Sequence, residues 1–166
     1  MLSVHLRGKV RKLSKGLQAL VALCVLASLC GCAAQWLQSK LEVDRAAVRE
    51  VHRIGDVVAQ TTAEYVYGNT VQVAEILIVD VGKTSFSEAI KTAEEGLLNE
   101  GWVVTRRSVD QVDMKSRKWE KVMLSVGPLE LLEPYHAEMK PDVAQAVKDH
   151  KDGVGVYLLV DLSKAQ

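Results

Sequence analysis

Apolar positions recur at helical spacing over residues 36–60. Leu37 and Leu41 stand four apart, and Ala47, Val51, Ile54 and Val58 follow at intervals of four, three and four. Arg45, Arg49, Glu50, Arg53 and Asp56 fill the opposite side. The stripe predicts an amphipathic helix that can run on to Tyr67 and stop at Gly68-Asn69. The same Gly-Asn pair also suits a hairpin between Glu64–Tyr67 and Thr70–Val73; the helix stop is the preferred reading.

Beyond that point the pattern changes period. Val71–Val81 is β-rich, with Ile76 to Val79 apolar throughout. Ser85-Phe86-Ser87-Glu88 has the form of a capping box, and the helix it opens sets Ala89, Ala93 and Leu97 on one face. That helix ends at Gly101, where a left-handed residue is expected. Trp102–Val109 reads as a second strand and Trp119–Val126 as a third, in which Val122, Leu124 and Val126 alternate with Lys121, Met123 and Ser125. Pro141 suits the first turn of a helix through His150 that carries Val143, Ala144 and Val147, and Val154–Leu162 is a last strand, nearly all apolar. The order βαββαβ predicts an α+β domain with a ferredoxin-like antiparallel sheet of order 4-1-3-2, preceded by the extra amphipathic helix. Strands one and four, apolar on both sides, belong at its centre, while two and three alternate like half-buried strands. Two-sided strands need cover on both faces, so the 36–60 helix is expected opposite the other two.

The N-terminal segment has a different character. Leu17 to Leu29 is a run of 13 residues with only Gln18 and Ser28 polar, preceded by Arg7, Lys9, Arg11, Lys12 and Lys15 and no acid. Such a helix spans about 20 Å, short of the roughly 30 Å hydrocarbon core. A basic flank and a short apolar run make an export signal rather than a spanning helix. The 21 basic and 21 acidic groups balance overall, but beyond this leader the chain holds 16 basic against 21 acidic groups. A mildly acidic body lacks the basic footprint of a nucleic-acid binder, so no nucleic-acid partner is expected. Cys24, Cys30 and Cys32 are the three cysteines, which leaves the body neither a disulfide framework nor a cysteine metal site.

Leu29-Cys30-Gly31-Cys32 resembles the lipobox of bacterial lipoproteins: an aliphatic residue, a small one, Gly or Ala, then the cysteine that is acylated. The match holds with Cys32 as the target. Cys30 stands where the family usually has Ala or Ser. The resemblance covers residues 1–32 and implies a covalent diacylglycerol on Cys32, with cleavage between Gly31 and Cys32. It places the chain on the cell membrane or outer membrane with its body outside the cytoplasm, and Ala33, lacking a carboxylate, favours the outer membrane of a two-membrane cell. The alternative is an ordinary secretory signal cut near Ala33-Ala34. Two acyl chains anchor firmly, so the body is expected to need no membrane-binding surface of its own. The layout is then 1–31 signal peptide, 32–68 lipidated N-terminus and amphipathic helix, and 69–166 a small α+β domain.

Candidate chemistry in the body is sparse. Arg106, Arg107, Lys115, Arg117, Lys118 and Lys121 concentrate on the connection between the second and third strands, diluted by Asp110, Asp113 and Glu120. They are the candidate contacts for an anionic partner: lipid, wall polymer or an acidic protein. Val79-Asp80-Val81-Gly82-Lys83-Thr84 has the tail of a phosphate-binding loop, but Leu77 stands where its first glycine belongs, so a turn and helix cap is the reading. His52, His136 and His150 have no neighbours at metal-ligand spacing, and neither a metal nor another cofactor is expected. No serine lies in Gly-x-Ser-x-Gly. Trp102, Trp119 and Tyr157 are assigned to the core rather than to base or sugar stacking. The expected role is a non-enzymatic binding or accessory module of the cell envelope that engages an envelope protein or wall polymer. The alternative is an envelope enzyme acting on peptidoglycan or another wall polymer, which needs a cleft with paired titratable groups.

Overall fold

The computed structural model describes residues 39–135 and 139–165. The leader, Gly31, Cys32 and Leu37 lie outside the described residues, as do His136 and Glu138. Ser39–Leu41 forms a short strand, β1. Asp44 then caps a helix, α1 (Arg45–Val51), its carboxylate accepting from the Ala46 N–H at 2.7 Å. The helix expected over 36–60 is confined to these seven residues among those described. Gly55 explains the break: a Cβ there would meet the Asp80 carbonyl oxygen at 2.4 Å, so the chain passes hard against a neighbouring backbone. From Asp56 it runs as a 12-residue strand, β2 (Asp56–Tyr67), which pairs antiparallel with β3 (Thr70–Asp80) at every residue except the bulged Val58. A ladder of that length, filled with Thr, Val and Tyr, outweighs the intrinsic preference of a helical stripe. Gly68-Asn69 therefore turns a hairpin, with Gly68 at φ 59°, the left-handed first position of a II′-type turn.

The remaining elements are α2 (Phe86–Asn99), β4 (Trp102–Arg107), β5 (Val112–Ser116), β6 (Val122–Pro128), a 3-10 helix (Leu129–Tyr135), α3 (Pro141–Lys151) and β7 (Tyr157–Lys164). The signals at the start and end of α2 act as expected. Ser85 Oγ accepts from the Glu88 N–H and donates to the Glu88 carboxylate, and Gly101 follows at φ 94°. Pro141 opens α3, which buries Val143 and Ala146. Strand β5 is an addition to the expected set. Its alternation is carried by only Val112 and Met114 among five residues, and the surrounding charges hide it. Trp119, expected to begin the third strand, sits instead in the turn that follows β5. There the Ser116 hydroxyl accepts from the Lys118 and Trp119 N–H groups and Lys121 takes φ 62°.

The fold is mixed α+β: one open sheet of seven strands in the order β2-β3-β7-β6-β5-β4, with β1 pairing parallel to the first residues of β3. The expected neighbours β3 and β7 do lie side by side, though β3 is next to the edge strand β2 rather than at the centre, and Ile76 to Val79 are all buried. The ferredoxin-like order is not observed. That order gives β3 the third strand as its other neighbour, but β2 occupies this edge, so β6 joins β7 instead. Helix placement differs for a related reason. One face packs Leu77, Val79, Leu158, Val160 and Leu162 against Val51 of α1 and Ala93 and Leu97 of α2. The other packs Ile76, Ile78 and Leu159 against Val143 and Ala146 of α3 and Leu129 and Leu132 of the 3-10 helix. Both faces are covered, but by α3 opposite α1 and α2, not by the N-terminal helix opposite the other two.

The strand directions separate the two ends of the sheet. Gly68-Asn69, the 117–121 turn, β1 and the end of β7 lie at one end, and the 108–111 turn lies at the other.

Candidate functional site

The six cations singled out in the sequence are not brought together. Arg106 and Arg107 stand at the 108–111 end of the β4–β5 hairpin, whereas Arg117, Lys118 and Lys121 lie past its other end. Arg106 Nε donates to Asp113 Oδ2 at 2.6 Å, and Arg107 pairs with Glu94 of α2. Lys118 Nζ lies 2.7 Å from Glu50 Oε1 and 5.8 Å from the centre of the Trp119 ring. Lys115, Arg117 and Lys121 are exposed. Three of the six are thus already engaged by carboxylates.

Glu50, Trp102 and Lys118 form a junction that the sequence reading missed, with Glu50 and Trp102 buried and Lys118 at the surface. The Trp102 indole N–H donates to Glu50 Oε2 at 3.0 Å in the core, and the Trp102 and Trp119 rings lie 6.4 Å apart. One carboxylate on α1 thereby ties the helix to β4 and to the turn after β5. Its role is cohesion.

A polar row crosses the face that α3 only partly covers. Following the pairings, Asp161, Ser125, Asp113 and Arg106 occupy successive strands on one face. Asp113 Oδ1 accepts from the Ser125 hydroxyl at 2.6 Å and from the Gln111 amide at 2.8 Å. Burial works against ionisation of Asp113, but the hydrogen bonds from Ser125, Gln111 and Arg106, together with the Arg106 charge, prevail and hold its carboxyl below the ordinary value. A carboxylate satisfied on every side is an ordering device; it has no proton to give at neutral pH. On the same face, burial first and the charges of Asp161 and Tyr67 next raise the Tyr65 phenol.

An apolar groove lies where β6 runs into the 3-10 helix. Gly127 lets that helix fold back, since a Cβ there would meet Leu131 Cδ1 at 2.8 Å. Between the 3-10 helix and α3 opens a cavity of about 180 Å³ whose apolar lining is Leu129, Leu132, Met139 and Val147. Glu130, His150 and Lys151 form its polar rim. His150 is well placed by its surroundings: Nδ1 is 3.2 Å from the Gly155 carbonyl oxygen, Nε2 is 3.4 Å from Glu130, and the ring lies 6.2 Å from that of Tyr157. The carbonyl can only accept, so Nδ1 carries the hydrogen and Nε2 faces Glu130. Gly155 is required here, because the Tyr157 ring fills the space a Cβ would take at 2.7 Å. The sequence signal for this groove was the Leu129-Glu130-Leu131-Leu132 run, which is too short to show a period.

The phosphate-loop resemblance at 79–84 resolves as a turn. The Gly82 N–H donates to Asp80 Oδ1 at 2.7 Å, which puts a carboxylate where an anion would have to sit. Among the described residues no group of three or more His, Cys, Asp or Glu side chains could hold a metal ion, and no helix is long and apolar enough to cross a membrane. No family model, curated protein or solved structure matches the chain.

Proposed function

We propose that the chain is an envelope lipoprotein, anchored by diacylglycerol on Cys32, whose folded body is a binding module for a protein partner. The observation that carries the binding role is the groove between the 3-10 helix and α3. An apolar floor of Leu129, Leu132 and Val147 with a charged rim of Glu130, His150 and Lys151 suits an apolar side chain presented within a polar segment. Met139 is exposed at its edge, and an unbranched thioether adapts to the shape of what it covers. The Leu29-Cys30-Gly31-Cys32 pattern supports the anchor and the placement outside the cytoplasm. A protein is preferred to a wall polymer because the floor is apolar, whereas a polysaccharide or peptide-linked glycan presents mostly polar groups.

Two measurements test this. Mass spectrometry of the mature N-terminus should find an acylated Cys32, and Cys32→Ala should move the protein out of the membrane fraction; an unmodified sulfur in a membrane-free chain refutes the anchor. A photo-crosslinker at position 139 should trap an envelope protein in a defined adduct that Val147→Glu abolishes and that a crosslinker at Val109 does not form. Equal adducts at 139 and 109 refute the groove. Adducts to wall glycan at 139 assign it to the polymer instead.

A further inference from the structure

The end of the sheet where the chain emerges from its N-terminal segment carries features that the binding groove does not use. The Ser39 N–H donates to the Asn69 carbonyl at 2.9 Å, so the chain enters the fold at the tip of the β2–β3 hairpin. That tip exposes Val66 at 65% and Tyr67 at 55%. Beside β1, a hollow of about 260 Å³ is lined by Leu41, Glu120, Lys121, Lys164 and Ala165. Among the described residues neither Lys121 nor Lys164 is in an ion pair, while Lys40 on β1 is held by Glu42 at 2.9 Å and Glu64 at 3.5 Å.

We propose that this end of the sheet docks on an anionic phospholipid surface, with Val66 and Tyr67 in the interfacial layer and Lys121 and Lys164 at the headgroup phosphates. The inference rests on the anchor reading. Cys32 stands seven residues before Ser39, so the tether reaches at most about 25 Å, and it starts from the hairpin tip itself. The register fits the depth of the interface. Leu162 pairs with Glu75, which sets Lys164 level with Val73, three residues above Thr70 at the tip. Three residues of strand are about 10 Å, the depth to which an apolar surface sinks below the headgroups. Tyr and Val suit that layer, and the two lysines are then level with the phosphates. The acyl chains supply the affinity; the tip and the lysines supply the orientation. The opposite end, with the fully exposed Val109, points into the medium.

The acylated full chain is reconstituted in vesicles of phosphatidylcholine with phosphatidylglycerol, carrying one environment-sensitive label at Tyr67→Cys or at Val109→Cys. Acylation blocks Cys32, so in the processed chain the introduced thiol is the one that reacts. The label at 67 should shift to the blue and be quenched by lipid-borne nitroxide at least threefold more than the label at 109. Lys121→Glu with Lys164→Glu should reduce that quenching at least twofold, as should replacing the anionic lipid, with circular dichroism unchanged. Protein that floats with the vesicles but shows equal quenching at 67 and 109 overturns the docking and leaves the anchor standing. Protein that does not float overturns the anchor and the docking together.

Discussion

Removing the Glu50 carboxylate should destabilise the fold more than any neighbouring surface charge, because Glu50 is 5% exposed and its two partners differ in kind. The Trp102 indole N–H is buried and has this carboxylate at 3.0 Å, so Glu50→Ala leaves a donor stranded in the core. An orphaned buried donor costs about 1–3 kcal/mol. The Lys118 side chain is 52% exposed, and water replaces much of what the pair loses, so its share is about 0.5–1 kcal/mol. Glu50→Ala should therefore cost about 3 kcal/mol, whereas Glu50→Gln, which keeps an acceptor for the indole, should cost about 1. Lys118→Met should cost about 1 kcal/mol or less, and combining it with Glu50→Ala should cost less than the sum of the two. The assay is equilibrium urea unfolding followed by tryptophan fluorescence, with Trp102 and Trp119 both near the perturbation. Equal losses for Glu50→Gln and Glu50→Ala would show that the charge pair, not the indole bond, carries the energy. A loss below about 1 kcal/mol for Glu50→Ala would refute the reasoning altogether.

Gly55→Ala should lose about 2–3 kcal/mol in the same assay, because its Cβ meets the backbone oxygen of Asp80 at 2.4 Å, at the paired end of β3; a loss under about 0.5 kcal/mol would mean that the two backbones are less tightly opposed. Asp113 has a folded pKa below its unfolded value near 3.9, so its contribution is fully present above about pH 4 and is lost as the pH falls through the lower folded value. Stability measured from about pH 2 to 6 should accordingly show wild type and Asp113→Asn converging at the acid end. A difference that stays constant across that range would refute the assignment.

The fold was legible where one local signal had no rival. Ser85 and Glu88 start α2, Gly101 ends it, and Pro141 starts α3, because each satisfies or sterically demands a particular backbone state. The stretch from Asp56 to Tyr67 had two rivals. Ile54 and Val58 extend a helical stripe, while Ala59, Thr61 and Ala63 alternate at the period of a strand. Periodicity alone could not decide between them, since the deciding energy comes from partners outside the stretch itself: 11 paired residues of β3 and the face of α3, far along the chain, that covers Ala59 and Ala63. The hairpin residues Gly68-Asn69 were the better guide, and the sheet order followed from them. Once β2 takes the free edge of β3, the ferredoxin-like order is sterically closed.

The cationic cluster shows a different limit. Arg106 and Arg107 are adjacent in sequence, yet in a strand they point to opposite faces, and each meets a carboxylate on its own side: Asp113 on the open face, Glu94 on α2. Charge density along the chain therefore overstated charge density in space. The same geometry gathers charges that the sequence kept far apart. Lys121 and Lys164 are 43 residues apart in number, but the Ala165 N–H donates to the Lys121 carbonyl at 2.8 Å, which brings the end of β7 beside the turn before β6. Basic groups from three separate segments, Lys40 on β1, the 117–121 turn and Lys164, thus lie at the end of the sheet where Ser39 begins, and the groove built on Leu129, Val147 and His150 opens on an α3-covered face rather than at that end. A tethered protein whose membrane-facing and partner-facing surfaces are distinct can hold both at once. That separation, and not any single residue, is what would let a short anchor present the groove to a partner.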